Sequence, residues 1–196
     1  MVFPMAQVAR DRRSAAYGPD MGEVVVLNGP AGVGKTTIGR RVAGTARNGA
    51  CVHGDDLKHF VVAREPGTVD QGLSYVGGAA VTDVFLGAGY DLVVFDFVFE
   101  RRIDVDRLLG RLRADVDVHL LTLWAPLETV ALRERGRVDR ARLGERVAAC
   151  WHAMAGNLAE LGAVVDARGA VDEIVTDVRR QIAAGTARVW RGKDLP

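Results

Sequence analysis

Gly29-Pro30-Ala31-Gly32-Val33-Gly34-Lys35-Thr36 stands one residue, Asn28, behind the apolar run Val24-Val25-Val26-Leu27, and this junction decides the fold. The run is β-branched or aliphatic without polar alternation, the pattern of a parallel strand buried on both faces. Behind it the chain reads G-x-x-x-x-G-K-T, and a helical pattern follows over residues 36–46. Glycines let the backbone turn tightly and aim successive N–H groups inward, so such a loop makes an anion nest at a helix N-terminus. Gly29, Ala31, Gly32, Val33, Gly34, Lys35, Thr36 and Thr37 are therefore expected to wrap a polyphosphate. Lys35 would reach its terminal phosphates, and the Thr36 hydroxyl would meet the magnesium that travels with it. The junction predicts binding of a nucleoside triphosphate such as ATP, with Mg2+.

Working outward, strand and helix alternate. Strand patterns occupy residues 24–28, 50–53, 91–99, 116–124 and 163–166. Helical patterns occupy 36–46, 73–86, 105–113, 126–135, 143–161 and 171–184, with Pro126 at a favoured starting position. Five strands interleaved with helices predict a three-layer α/β domain with a five-stranded parallel sheet and right-handed crossovers, the P-loop NTPase fold. The domain is expected to span 21–184 and to include an arginine-rich lid near 133–142. Residues 1–20 have no clear period and are expected to form a flexible N-terminal extension. For the tail 185–196, with its Trp190, a docked arm and a loose end both remain open.

At 196 residues the chain fits one domain with a substantial core. A formal net charge of +1 implies no bulk attraction to nucleic acid or to an anionic membrane. No apolar run approaches the length of a membrane span. Cys51 and Cys150 have neither metal-site spacing nor a disulfide framework, and two isolated thiols suit a cytoplasmic location. Lysine occurs only at 35, 58 and 193, so two of the three fall at or near the expected site.

In open α/β sheets ligands lie off the carboxyl ends of the strands, so the residues there are the candidates for chemistry. The second strand ends in His53-Gly54-Asp55-Asp56. A carboxylate there faces the space beyond the γ-phosphate and can accept or orient an attacking hydroxyl. Asp is also a common helix cap; Asp56 is expected to cap and Asp55 to act as base, although the pair can be reversed. Lys58, one turn on, suits an anionic group of the acceptor or a solvated helix face. Asp96 ends the apolar part of the third strand, where a carboxylate holds magnesium or is satisfied by backbone N–H groups. Glu100 and Arg101 follow at the same edge as candidate acceptor contacts. Arg133, Arg137 and Arg140 would share one face of a helix and suit a lid over the triphosphate. An ordinary charged helix is the alternative.

These elements together resemble the small-molecule kinases of the P-loop class, and most of all the chloramphenicol phosphotransferase-like group. The first strand and phosphate loop, VVVLNGPAGVGKTT, are similar to that group's opening. At the second-strand end Asp55 takes the position of the group's presumed base. RERGRVDR, residues 133–140, is similar to its R-E-x-x-R-x-D-R lid. Trp151-His152 falls where such kinases tend to have a histidine, and Val164-Val165-Asp166 before an acidic helix also recurs in them. HGDDLKHF resembles the corresponding step of adenylylsulfate kinases, and its Gly-Asp pair is shared with gluconate kinases. The resemblance covers most of residues 23–184 but not 60–78. It implies an ATP-dependent kinase acting on a hydroxyl of a small metabolite or natural product, an antibiotic among the options. The acceptor cavity would draw on Lys58, the 64–78 segment and the 97–104 loop. A nucleotide-hydrolysing switch and a toxin-like kinase acting on a nucleotide sugar stay open as alternatives. The sequence contains no N-K-x-D element of the kind that selects guanine in many switch GTPases. It does not reveal the acceptor or the oligomeric state.

Overall fold

The computed structural model describes residues 22–63, 71–112, 116–136 and 143–191. The expected N-terminal extension, Arg137 and Arg140 of the expected lid, and residues 192–196 of the tail lie outside that set. The described chain runs β1 (Glu23–Asn28), α1 (Lys35–Ala43), β2 (Gly49–His53), a 3-10 turn (Asp56–Phe60), α2 (Gln71–Gly87), β3 (Leu92–Asp96) and α3 (Arg102–Leu109). It continues through β4 (Asp117–Trp124), α4 (Leu127–Arg135), α5 (Glu145–Ala155), a 3-10 turn (Leu158–Glu160), β5 (Ala163–Asp166), α6 (Val171–Ala183) and β6 (Arg188–Arg191).

The expected parallel sheet is present in the order β2-β3-β1-β4-β5. Its central strand, β1, shows why the apolar run forms a strand buried on both faces. Val24 and Val26 enter the core on one face of the sheet with Val52, Phe95, Leu120 and Met154. Val25 and Leu27 enter the core on the other with Ile38, Val42, Leu123, Ile174 and Val178. All four are fully buried, and each such side chain contributes about 1.5–3 kcal/mol of transfer free energy. The four-residue run that feeds the two cores has no position left for a polar residue.

Three expectations need correction. The third strand stops at Asp96, not at 99. At Phe99 the backbone is satisfied by a side chain instead of a ladder: its N–H donates to Asn28 Oδ1 at 2.8 Å, and Asn28 Nδ2 donates back to Phe99 O at 3.2 Å. The long helix expected over 143–161 ends at Ala155. There Asn157 Nδ2 donates to the carbonyls of Ala153 (3.0 Å) and Glu100 (2.9 Å), ending the helix and tying it to the β3–α3 loop. Of the two readings left open for the tail, the docked arm holds over Arg188–Arg191, because β6 pairs antiparallel with the start of β4. A 2.7 Å ion pair between Arg188 and Asp117 joins the two strands. Of the 64–78 segment expected as an acceptor loop, the part from Gln71 onward is helix, and 64–70 lies outside the described residues. Among the described residues no helix is long and apolar enough to cross a membrane.

Candidate active site

The loop from β1 to α1 takes the conformation its glycines allow. Gly32 and Gly34 have φ of +90° and +109°, values that residues with a Cβ rarely adopt. A Cβ on Gly32 would also stand 2.8 Å from Val130 O and 3.1 Å from Glu134 Cβ, so the loop lies backbone-close against α4. No acidic residue sits in the first turn of α1, which leaves the positive end of its dipole available to an anion. Lys35 is buried, and its Nζ donates to the carbonyls of Gly29 (2.8 Å) and Pro30 (3.1 Å). Thr37 is exposed on the first turn.

Beside the loop, the ends of β2 and β3 place His53 opposite Asp96 in register. Asp96 is fully buried, and an isolated buried carboxylate would be costly. Its partners are side chains. His53 Nδ1 lies 2.6 Å from Asp96 Oδ1, the Thr36 hydroxyl donates to the same oxygen at 3.5 Å, and Cys51 Sγ is 3.8 Å from Oδ2. Burial and the Asp96 carboxylate push the Cys51 thiol up to about 12. The Thr36 hydroxyl and the Asp96 carboxylate are hard oxygen donors side by side, a pair that fits a magnesium ion also bound by phosphate and water. Among the described residues no group of three or more His, Cys, Asp or Glu forms a metal cluster, so a cation here would depend on the nucleotide for most of its ligands.

Asp55 and Asp56 part company at the 3-10 turn. Asp55, not Asp56, occupies the capping position, and its side chain makes no cap bond. The Asp55 carboxylate instead takes a 2.7 Å ion pair from Lys58, whose Nζ also lies 4.8 Å from the centre of the Phe97 ring. Burial alone would raise the Asp55 carboxyl. The hydrogen bond and charge of Lys58, helped by His53 and Lys35, outweigh it and hold the group below its usual 3.8. Asp55 therefore lies within electrostatic reach of the phosphate-loop lysine. Asp56 is exposed, with His59 3.9 Å away.

Arg133 is the one member of the arginine trio within the described residues. Helix α4 ends at Arg135 with Gly136 as its cap. Arg133 Nη1 donates to Val33 O at 3.1 Å and to Ala167 O at 2.8 Å, fastening the phosphate loop to the loop after β5. Its neighbour Glu134 is buried and accepts the N–H of Leu143. Arg101 pairs with Asp104 at 3.3 Å. Glu100 is exposed near the phosphate loop through Cys150. Burial pushes the Cys150 thiol up against the opposing pull of the Ala31 backbone and Lys35, and the Glu100 carboxylate adds to the rise.

The structure thus gathers Lys35, Thr36, Asp55, Lys58, Asp96 and Arg133 at one end of the sheet. His53, Asn28 and Glu134 were not singled out from sequence. Only His53 had a visible signal, its place at a strand end directly before Gly-Asp-Asp.

The solved structures that the chain is similar to share its fold. A sugar kinase from Janibacter sp. HTCC2649 is 20% identical with a TM-score of 0.58, over 85% of this chain and 96% of that one. The tunicamycin resistance protein of Deinococcus radiodurans is 17% identical with a TM-score of 0.61, over 82% and 95%. Shikimate kinase from Bacteroides thetaiotaomicron is 12% identical with a TM-score of 0.61, over 82% and 98%. No curated protein matches the chain in sequence. A sequence profile described as an AAA domain matches residues 24–161, from the first strand to the turn before β5. On that match, and with the phosphate loop built as its glycines require, the chain belongs to the AAA domain family of P-loop proteins.

Proposed function

We propose that this chain is an ATP-dependent phosphotransferase that moves the γ-phosphoryl group to a hydroxyl of a small molecule. The observation that carries the reading is the Asp55 carboxylate, placed off the end of β2 within electrostatic reach of Lys35. A nucleotide switch has no need of a carboxylate there, whereas a kinase needs one to orient its acceptor. The fold shared with a sugar kinase and a shikimate kinase supports the same reading.

In this reading the nest from Gly29 to Thr37 holds the triphosphate, and Lys35 turns from the Gly29 and Pro30 carbonyls to the β- and γ-phosphates. Thr36 and Asp96 would hold magnesium, which supplies charge neutralisation across those phosphates. The acceptor hydroxyl lies against Asp55. Its oxygen bonds to the γ-phosphorus as the bond to the β-γ bridging oxygen breaks, and its proton passes to the Asp55 carboxylate. A carboxyl held below its usual range is a weak base. Asp55 therefore acts mainly by orientation and takes the proton late, as a loose phosphoryl-transfer transition state permits. Lys58 steadies Asp55, while Glu100, Arg101 and Asp56 border the acceptor space. Arg133 braces the nucleotide side, and Arg137 and Arg140 are assigned to closure over the phosphates.

The test is an acceptor panel assayed for ADP: polyols, hydroxy acids such as gluconate and shikimate, aryl alcohols, nucleotide sugars and a hydroxyl-ended oligonucleotide. Turnover that appears only with one small-molecule class supports the proposal. Constant phosphate release whatever is added would mean a switch or regulatory ATPase, and turnover confined to the oligonucleotide would mean a nucleic-acid kinase.

A further inference from the structure

His53 makes a short, largely buried polar contact beside the phosphate loop, and the chemistry above does not use it. Its ring is nine-tenths buried, with a side-chain exposure of 10%. Nδ1 meets Asp96 Oδ1 at 2.6 Å and lies 3.4 Å from the Thr36 hydroxyl. Nε2 is buried and has no hydrogen-bond partner among the described residues. Those two environments decide where the ring carries its proton. On Nε2 an N–H would be a stranded buried donor, whereas on Nδ1 it faces a buried carboxylate. The assignment is therefore Nδ1–H donating to Asp96 Oδ1.

That proton has a consequence for Thr36. With His53 as donor and Asp96 as acceptor, Nδ1 offers the Thr36 hydroxyl nothing to donate to. The hydroxyl hydrogen is left to point at Asp96 Oδ1, 3.5 Å away. Its lone pairs then face away from Asp96 Oδ1, free for another partner. The same N–H fixes the rotation of the carboxylate, since one oxygen is engaged on the β2 side.

We propose that His53 is a positioning residue for the cation that accompanies the nucleotide. Through one Nδ1–H bond it orients the Asp96 carboxylate and, by way of that carboxylate, the Thr36 hydroxyl. This rests on the proposed reading of the site as a magnesium-dependent nucleotide site. Cys51, 3.8 Å from the other carboxylate oxygen, is too weak a donor to replace it.

The test measures ATP affinity by calorimetry, with magnesium and with chelator, for wild type, His53→Phe and His53→Asn. Phe keeps the ring volume and removes the donor; Asn keeps an N–H near the position of Nδ1. The magnesium-dependent gain in affinity should fall about tenfold or more in His53→Phe, the value of a lost hydrogen bond to a charged group. Affinity in chelator should stay unchanged, and His53→Asn should recover most of the gain. A folded His53→Phe that keeps the full gain overturns the inference and leaves the nucleotide site standing. A wild type with no magnesium-dependent gain overturns the site reading along with it. Nitrogen NMR of the wild-type imidazole gives an independent check that needs no variant to fold: an N–H on Nδ1 is expected, and a ring that carries its proton on Nε2 alone overturns the inference.

Discussion

Replacing Arg133 with alanine should loosen the phosphate loop before any nucleotide arrives. The guanidinium bridges Val33 O and Ala167 O at 3.1 and 2.8 Å, joining positions 100 and 34 residues away in sequence. Hydrogen bonds from a charged donor contribute about 1.5–3 kcal/mol each. Arg133 is only half-buried, so water can take up part of the exposed carbonyl surface, and one bond's worth is the sensible total. In a chain of 196 residues that loss corresponds to a fall in Tm of about 3–12 °C, at about 2–4 °C per kcal/mol. Arg133→Lys should fall between, because an ammonium on a shorter, more flexible stem holds the position of Nη1 between the two carbonyls less well. The assay is thermal unfolding followed by circular dichroism, paired with calorimetric ATP titration, in which affinity should drop with the loop's order. If Arg133→Ala melts within about 1 °C of wild type and binds ATP unchanged, the bridge does not hold the loop.

Three further outcomes are expected. Lys35→Ala should weaken ATP binding about 10- to 100-fold, the value of a charged hydrogen bond, with the far-ultraviolet spectrum unchanged; full affinity in a folded variant would contradict the phosphate-loop assignment. Gly32→Ala should destabilise the loop by about 2–4 kcal/mol, since it combines positive φ with a carbonyl contact too close for a Cβ, and urea unfolding reads the change. His119 is fully buried with neither ring nitrogen partnered among the described residues, and burial holds its pKa below the ordinary 6.5. The unfolded chain therefore binds the proton first as pH falls, so stability should hold above pH 6.5 and decline below it by up to about 1.4 kcal/mol per pH unit. His119→Leu should remove that slope in urea titrations at pH 7 and 5, and an unchanged slope would assign it elsewhere.

The phosphate loop, the parallel sheet and the candidates Asp55 and Asp96 were legible in the sequence because each depends on local pattern. A β-branched run with no polar break, as in β1, has one stable home between two layers. What escaped depends on pairings across strands. Phe97, Val98 and Phe99 look like strand, yet Asn28, 71 residues away, takes over the backbone bonds of Phe99. His53 meets Asp96 only because β2 and β3 end in register, a relation that no spacing along the chain reports. The choice of Asp56 as cap failed for a similar reason: the turn is a short 3-10 helix that begins at Asp56 itself, one residue earlier than an Asp56 cap would require.

The central claim is phosphoryl transfer to a hydroxyl oriented by Asp55, and phosphorus NMR of a reaction with the acceptor found in the panel tests it most directly. A phosphate-ester resonance should grow in step with ADP, and only when that acceptor is present. Asp55→Asn should slow its growth by about 10²–10⁴-fold while ATP affinity stays at the wild-type value. Release of inorganic phosphate at one rate with and without acceptor, unaltered in Asp55→Asn, would contradict the account.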